Sequence, residues 1–400
     1  MQELTTLYTM KRLTTHTSAL QASMQAWRHD IHRYPELAFE EQRTAARVAE
    51  LLAEFGLEVH TGIGNTGVVG VLKKGNSDRM LGLRADMDAL KIQEQNSFEH
   101  RSLHDGRMHA CGHDGHTAML LGAAQYLACD GDFDGSVAFI FQPAEEHGDG
   151  ARAMIADGLF ERFPIDAVFA IHNFPSLETG KFAVRAGSIM AAEDNFEITI
   201  NGVGHHAAMP HLGKDAIVIG AEIVTAMQTL VSRSLDPLDS AVVSFTEFVT
   251  NGTVNVVPGQ VLLKGDTRSL TIKVQDHIEG TMERIIAGIC AAHGASYEFS
   301  YQRNFIPTVN TPAEAAIAAT VATAVVGADN VVGDSRPAMT SEDFGYLLQA
   351  RPGAYLLLGN GAEGIGGCSL HNPAYDFNDE ILCIGADFWV ALVETQLAAR

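Results

Sequence analysis

Apolar positions along this chain recur with two periods. Ser18–Arg33 and Phe39–Phe55 place them three and four residues apart and are predicted as amphipathic helices, the second stopping at Gly56. Gly67–Leu72 and Met80–Ala85 are short apolar runs that read as buried strands. Asp114 stands where it can cap a helix over Gly115–Ala128. Ser136–Phe141 and Ala167–Ile171 are almost unbroken apolar runs, as expected of strands covered on both faces. Strand–helix alternation around such strands predicts an α/β fold with a mixed, mostly parallel sheet flanked by helices.

The texture changes near residue 190. Asn195–Gly202 alternates polar and apolar residues, as a half-exposed strand does. A helix over Asp215–Ser232 follows, then strands over Ala241–Phe248 and Val261–Thr267, a helix over Val274–His293 and a strand over Tyr297–Tyr301. That βαββαβ order looks like a small ferredoxin-like α+β unit. A helical signal at Thr311–Val326 and a strand signal at Ala354–Leu358 then resume the first pattern, which is compatible with one α/β domain interrupted by a second.

Length agrees with that division, because 400 residues exceed what one small core usually organises. The 49 acidic side chains outnumber the 27 Lys and Arg, for a formal charge of -22. Nucleic acid is a poor partner for such a surface, and so is an anionic membrane. The longest weakly polar run noted, Ala315–Ala328, falls short of the roughly 20 residues a membrane span needs. The first 18 residues lack the apolar core of a secretory signal. Five cysteines without framework spacing favour a reducing compartment, and a cytoplasmic location is expected.

Four clusters carry candidate chemistry, and all lie in loops after predicted strands. Met108–Thr117 holds three His and one Cys; Cys111 and His113, two apart, share a face in extended chain and can hold one metal. Gln142–Gly150 contains the pair Glu145–Glu146, which cannot easily point the same way. One can ligate a metal while the other serves as general base, although solvated acidic turns are common. His172 follows an apolar strand, and His371 sits in a Gly-rich loop. Asp86 ends the Met80 run, where it can orient a ligating imidazole or serve as a cap. Open α/β sheets bind ligands beyond the carboxyl ends of their strands, so the clusters reinforce one another.

Other chemistries find little support. No Gly-x-Ser-x-Gly elbow and no phosphate-binding Gly-x-x-x-x-Gly-Lys-Ser/Thr loop occurs. Gly62–Gly67 matches Gly-x-Gly-x-x-Gly but precedes a strand instead of following one, so it reads as a turn.

MHACGHDGHT, FQPAEE, the His172–Asn173 step, GHHAAMPH, NVVPG, MTSEDF and LHNPAYDFND occur in this order. In that set the chain resembles the hippurate hydrolase and N-acyl-amino-acid amidohydrolase family, from about Trp27 to Asp379. The resemblance implies a catalytic domain of residues 1–189 and 305–400, interrupted by a lid and dimerisation domain of residues 190–304. It implies two divalent metal ions (zinc, manganese, cobalt or nickel) on Cys111, His113, Glu146, His172 and His371. Glu145 would be the general base, and Asp86 would support the metal site. Arg84 stands where the wider superfamily usually has a His ligand. His206 would stabilise the oxyanion in a neighbouring subunit, with His205 a competing assignment, and Asn255 and Arg268 match lid positions that look like substrate contacts. Lys91 replaces a usual Pro.

The resemblance thus implies metal-dependent hydrolysis of the amide bond of an N-acyl amino acid by a homodimer or higher oligomer. Two rivals remain: a dipeptidase or aminopeptidase on the same metal centre, and a non-catalytic binding protein on the same scaffold.

Overall fold

The computed structural model describes residues 2–364 and 366–399, with side chains from Thr17 onward. The secretory-signal reading of the first residues therefore falls largely outside the described side chains. The chain divides into two compact units. The first comprises Met1–Ile189, Val309–Arg336 and Asp343–Arg400; the second comprises Met190–Thr308 and Pro337–Glu342.

The first unit is built on an eight-stranded sheet, in the order Glu58–Ile63, Gly67–Lys74, Gly135–Gln142, Met80–Asp86, Ala167–Pro175, Gly353–Gly361, Phe182–Val184, Val331–Gly333. Its four central strands run parallel. Gly135–Gln142, Met80–Asp86 and Gly353–Gly361 are buried along their whole length, which is why they are apolar at successive positions instead of alternate ones. Helices Gln2–Arg33, His113–Cys129 and Leu382–Gln396 pack on one another around the same core as Phe139, Phe141 and Leu356. Each such fully buried side chain contributes about 1.5–3 kcal/mol.

Two local expectations need correction. The helix expected from Phe39 begins at Gln42, because Phe39 has left-handed backbone (φ 62°) and Glu36 accepts from the Arg43 and Thr44 amides at 2.9 and 2.8 Å. Asp114 is not a cap: the helix begins at His113 behind Gly112, and the Asp114 carboxylate faces Arg28 and His32. The strand Glu58–Ile63, at the sheet edge and buried only at Ile63, carries no apolar run of the kind that marks the central strands.

The second unit is βαββαβ. Its antiparallel sheet has the order Ala241–Thr250, Gln260–Ser269, Ala192–Asn201, Ser296–Phe305, the strand order 2-3-1-4 of a ferredoxin-like unit. Burial alternates along the two central strands, and Phe196, Ile198, Ile200 and Leu263 face the helices Ala216–Thr229 and Ile272–His293. Asp215 and Thr271 cap those helices, and the second ends at left-handed Gly294. Pro337–Glu342 joins the unit through Ala338 beside Met190 and a Thr340–Ala191 backbone bond. Ala216–Ser234, at 19 residues, is a longer apolar stretch than Ala315–Ala328 and long enough by length and composition to cross a membrane. Here one face of it packs on the sheet, with Ile219, Ile223, Met227 and Leu230 buried, while Ile217 and Val218 on the other side are exposed.

Candidate active site

The parallel central strands bring four loops to one edge of the sheet. Met80–Asp86 delivers Asp86 and Asp88; Gly135–Gln142 leads into Glu145 and Glu146; Ala167–Pro175 carries His172 and Asn173 near its end; Gly353–Gly361 leads into the loop of His371. Cys111 and His113 enter with the helix that starts at His113. Gly112 between them has φ +97°, and a Cβ there would lie 2.1 Å from Asn173 Oδ1, so only glycine fits. His371 is itself left-handed (φ 60°), with its N–H on the Ala110 carbonyl at 2.8 Å. That non-glycine strain is of the kind found at binding sites.

Among the five groups of potential metal ligands that the described residues bring together, two share one atom. Cys111, His113 and His172 form one; Cys111, Glu146 and His371 form the other, each with its donor atoms within 4.8 Å. The Cys111 sulfur therefore stands between two positions. It lies 3.4 Å from His172 Nε2, and His371 Nε2 lies 3.3 Å from Glu146 Oε2.

The ring orientations suit ligation. His113 Nδ1 donates to the Asp88 carbonyl at 2.9 Å, which leaves its buried Nε2 without a hydrogen-bond partner. His172 Nδ1 donates to the Asn173 carbonyl at 2.6 Å, leaving Nε2 towards Cys111. Such outer partners set which imidazole nitrogen carries the lone pair. Glu146 Oε1 is likewise buried with no hydrogen-bond partner. Orphaned buried donor atoms of this kind call for a cation, and the residues fit one.

Electrostatics agree. Burial, with Glu146, Glu145 and Asp86 facing it, pushes the Cys111 thiol well above its usual range. A cation beside the sulfur reverses that preference. Burial opposes charge on His113, but Asp86, Asp88 and Glu146 outweigh it and raise the imidazole to about 10. A proton there does part of what a metal would do. Burial and then His116 hold His172 well below its usual value, in the neutral form a ligand needs.

Asp86 is fully buried and occupied on both oxygens: Oδ1 meets His116 Nδ1 at 2.6 Å and Oδ2 meets Arg84 Nη1 at 2.6 Å. Its place is that of a positioning group, 3.8 Å from His113 Nε2. Glu145 lies 3.9 Å from the same nitrogen and is nearly buried.

Four residues named from the sequence lie in the second unit. His206 is exposed on a two-residue strand paired with Val256–Val257, and Asn255 holds the Ala207 amide through its carbonyl, so these two are neighbours. His205 is buried, which separates it from its exposed neighbour. Arg268 is engaged within its own unit, to Glu193 at 2.7 Å and Asp266 at 2.9 Å.

Sequence reasoning passed over His116, Asp88 and Asn173. His116 lies on the same helix face as His113, three residues on, and both its ring nitrogens are used, by Asp86 and Asn173. The i,i+3 spacing was the available signal. For Asp88 and Asn173 the signal was adjacency to strand-end candidates.

A model of peptidase family M20/M25/M40 matches residues 82–395. The hippurate hydrolase of Campylobacter jejuni is 42% identical over 375 residues, covering 93% of this chain and 96% of that protein. An N-acyl-L-amino acid amidohydrolase of Geobacillus stearothermophilus is 45% identical over 287 residues, 71% of this chain and 77% of that one. Among solved structures, the YXEP protein of Bacillus subtilis, described as a dinuclear metal binding peptidase from the M20 family, has a TM-score of 0.82 at 30% identity. The match covers 95% of this chain and 99% of that one.

Proposed function

The chain belongs to peptidase family M20/M25/M40, and from that membership we propose that it hydrolyses the amide bond of N-acyl amino acids of the hippurate type, releasing a carboxylic acid and a free amino acid. The observation that carries the reading is the pair of ligand groups sharing Cys111, with Glu145 beside them. Cys111, His113 and His172 would hold one divalent ion, and Cys111, Glu146 and His371 the other. When bound, the two ions make a water acidic enough to lose a proton near neutral pH and polarise the acyl oxygen. Glu145 takes that proton and returns it to the departing amine nitrogen. Asp88 and Asn173 keep His113 and His172 turned so that their Nε2 atoms face the centre. A thiolate and imidazoles favour zinc on softness grounds, with manganese, cobalt and nickel the other candidates.

The working unit in this reading is a homodimer formed by the second unit. Its edge strand Ala241–Thr250 exposes Val242, Phe248 and Val249, a surface that a monomer has reason to cover. His206, exposed, polarises the acyl oxygen in the partner's site. The cytoplasmic assignment rests on the odd number of cysteines and their lack of framework spacing in the sequence.

Amine release from a panel headed by N-benzoylglycine, using metal-loaded and chelator-stripped protein, tests the activity. Metal-dependent release from any member supports it. Failure on every N-acyl amino acid with release from free dipeptides replaces it with the dipeptidase reading. Sedimentation gives the oligomeric state. Mixing Glu145→Gln and His206→Ala subunits restores activity if His206 acts across the dimer, and restores none if it acts within its own chain.

A further inference from the structure

The turn that carries Glu145 and Glu146 is held by buried carboxylates from outside it. Asp343 accepts from Gln142 Nε2 at 2.7 Å and from the Ala151 amide at 2.9 Å, pinning both ends. Asp88 accepts from the Glu146 amide at 3.1 Å. The third is Glu41, at the start of the helix Gln42–Glu54 and more than a hundred residues from the turn. Its Oε1 accepts from the Ala144 amide at 2.9 Å, and its Oε2 accepts from Thr66 Oγ1 at 2.6 Å. Glu41 is fully buried, as is Ala144, and Thr66 is nearly so.

Ala144 is the residue that sets the direction of the turn. Its backbone is left-handed, with φ 51°, a conformation an alanine adopts only when its surroundings impose it. Its carbonyl accepts from the Gly150 amide at 3.1 Å, so the peptide groups on both sides of the strained residue are fixed. The consequence falls on the next residue, Glu145, and on Glu146 after it. Both aim at the same imidazole, with carboxylate oxygens each 3.9 Å from His113 Nε2. Adjacent residues in extended chain point to opposite sides. The kink at Ala144 starts a turn, closed by the Gly148 amide on the Glu145 carbonyl at 2.8 Å, that brings the pair to one side.

We propose that Glu41, seated on Thr66, is a positioning residue that holds Ala144 in its left-handed conformation and thereby places the Glu145 and Glu146 carboxylates at the centre. It touches neither substrate nor metal. Its role is the hydrogen bond, not the charge, so an amide of the same shape should replace it. The inference rests on the proposed roles of Glu145 and Glu146.

The test compares Glu41→Ala, Glu41→Gln and Thr66→Val in full-length metal-loaded protein. Readouts are kcat and KM for N-benzoylglycine, metal affinity by chelator competition, and thermal unfolding. Outer residues that orient ligands typically change metal affinity or activity by about 10–100-fold. Glu41→Ala is expected to lower kcat in that range with KM within about twofold, and to weaken metal binding about tenfold. Glu41→Gln keeps an oxygen for the Ala144 amide and an N–H for Thr66, and should restore both quantities to within about threefold of the parent. Equal losses in Glu41→Gln and Glu41→Ala would overturn the proposal, as would a Glu41→Ala protein with unchanged kcat and metal affinity. Should Glu41→Ala fail to fold, Thr66→Val removes a single hydroxyl; a fall in kcat of about 2–10-fold supports the proposal, and no change overturns it. If the parent releases amine from no substrate, the amidohydrolase reading fails, while the metal affinities still report whether Glu41 places Glu146.

Discussion

Replacing Arg84 with methionine removes a buried cation and leaves its carboxylates behind. Arg84 is 1% exposed. Its guanidinium donates to Asp86 at 2.6 Å, Asp343 at 3.1 Å and the Gln142 side chain at 2.9 Å. Methionine fills much of the same volume, so the main loss is electrostatic. Stranding one side of a buried ion pair costs about 3–5 kcal/mol, and the upper part of that range is expected because two carboxylates lose their shared guanidinium. Both tryptophans, Trp27 and Trp389, lie in the first unit, so their fluorescence in urea reads the unfolding of that unit. The measurement belongs in chelator, where metal binding adds nothing. pH supplies the second arm. Burial opposes ionisation of Asp86, but His113, Arg84 and His116 hold its carboxyl well below the ordinary 3.8. A depressed carboxyl stabilises the fold above that ordinary value and loses the contribution as pH falls through the folded one. The variant has lost part of this contribution, so the gap from the parent should be widest near neutrality and narrow below about pH 4. Asp343→Asn should couple to Arg84→Met by about 0.5–3 kcal/mol in a double-mutant cycle. A loss under about 1 kcal/mol, or a gap indifferent to pH, would refute the argument that these charges depend on one another.

Glu145→Gln should lower kcat by about 10²–10⁴-fold while metal content stays at the parent level. Loss of metal from that variant, measured by atomic emission, would exchange the roles of Glu145 and Glu146. His32, between Asp114 at 2.9 Å and Glu94 at 3.2 Å, is raised from 6.5 to about 9 because those bonds outweigh burial. Its contribution, on the order of 3 kcal/mol, is full below pH 6.5 and fades as pH rises through about 9. His32→Gln should therefore fall furthest behind the parent in melting at pH 6 and converge with it near pH 9.5. Gly115→Ala would set a methyl 2.3 Å from the Phe377 ring edge, at the first turn of the helix that delivers His113. The expected cost is about 1–3 kcal/mol with weakened metal binding, and an unperturbed melting curve would show that Phe377 can yield.

How much of this could be read from the chain follows from how far each interaction reaches. The buried strands announced themselves as unbroken apolar runs, and the second unit as alternation, because burial on two faces and on one leave different local periods. The ligand-bearing residues stood out for a related reason. Strand ends and helix starts are local features, and Cys111–His113, Glu145–Glu146 and His172 sit at or beside them, while His371 was marked by its Gly-rich loop. Tertiary structure decided what depends on residues distant in sequence. It made Cys111 common to two ligand groups, turned His205 inward and His206 outward, and committed Arg268 to Glu193 and Asp266. It also brought Glu41 to Ala144 and Asp343 to Arg84, across 103 and 259 positions of chain. A buried polar atom must find a partner, but the chain around it carries no mark of which distant partner that will be; only the closed fold pairs them.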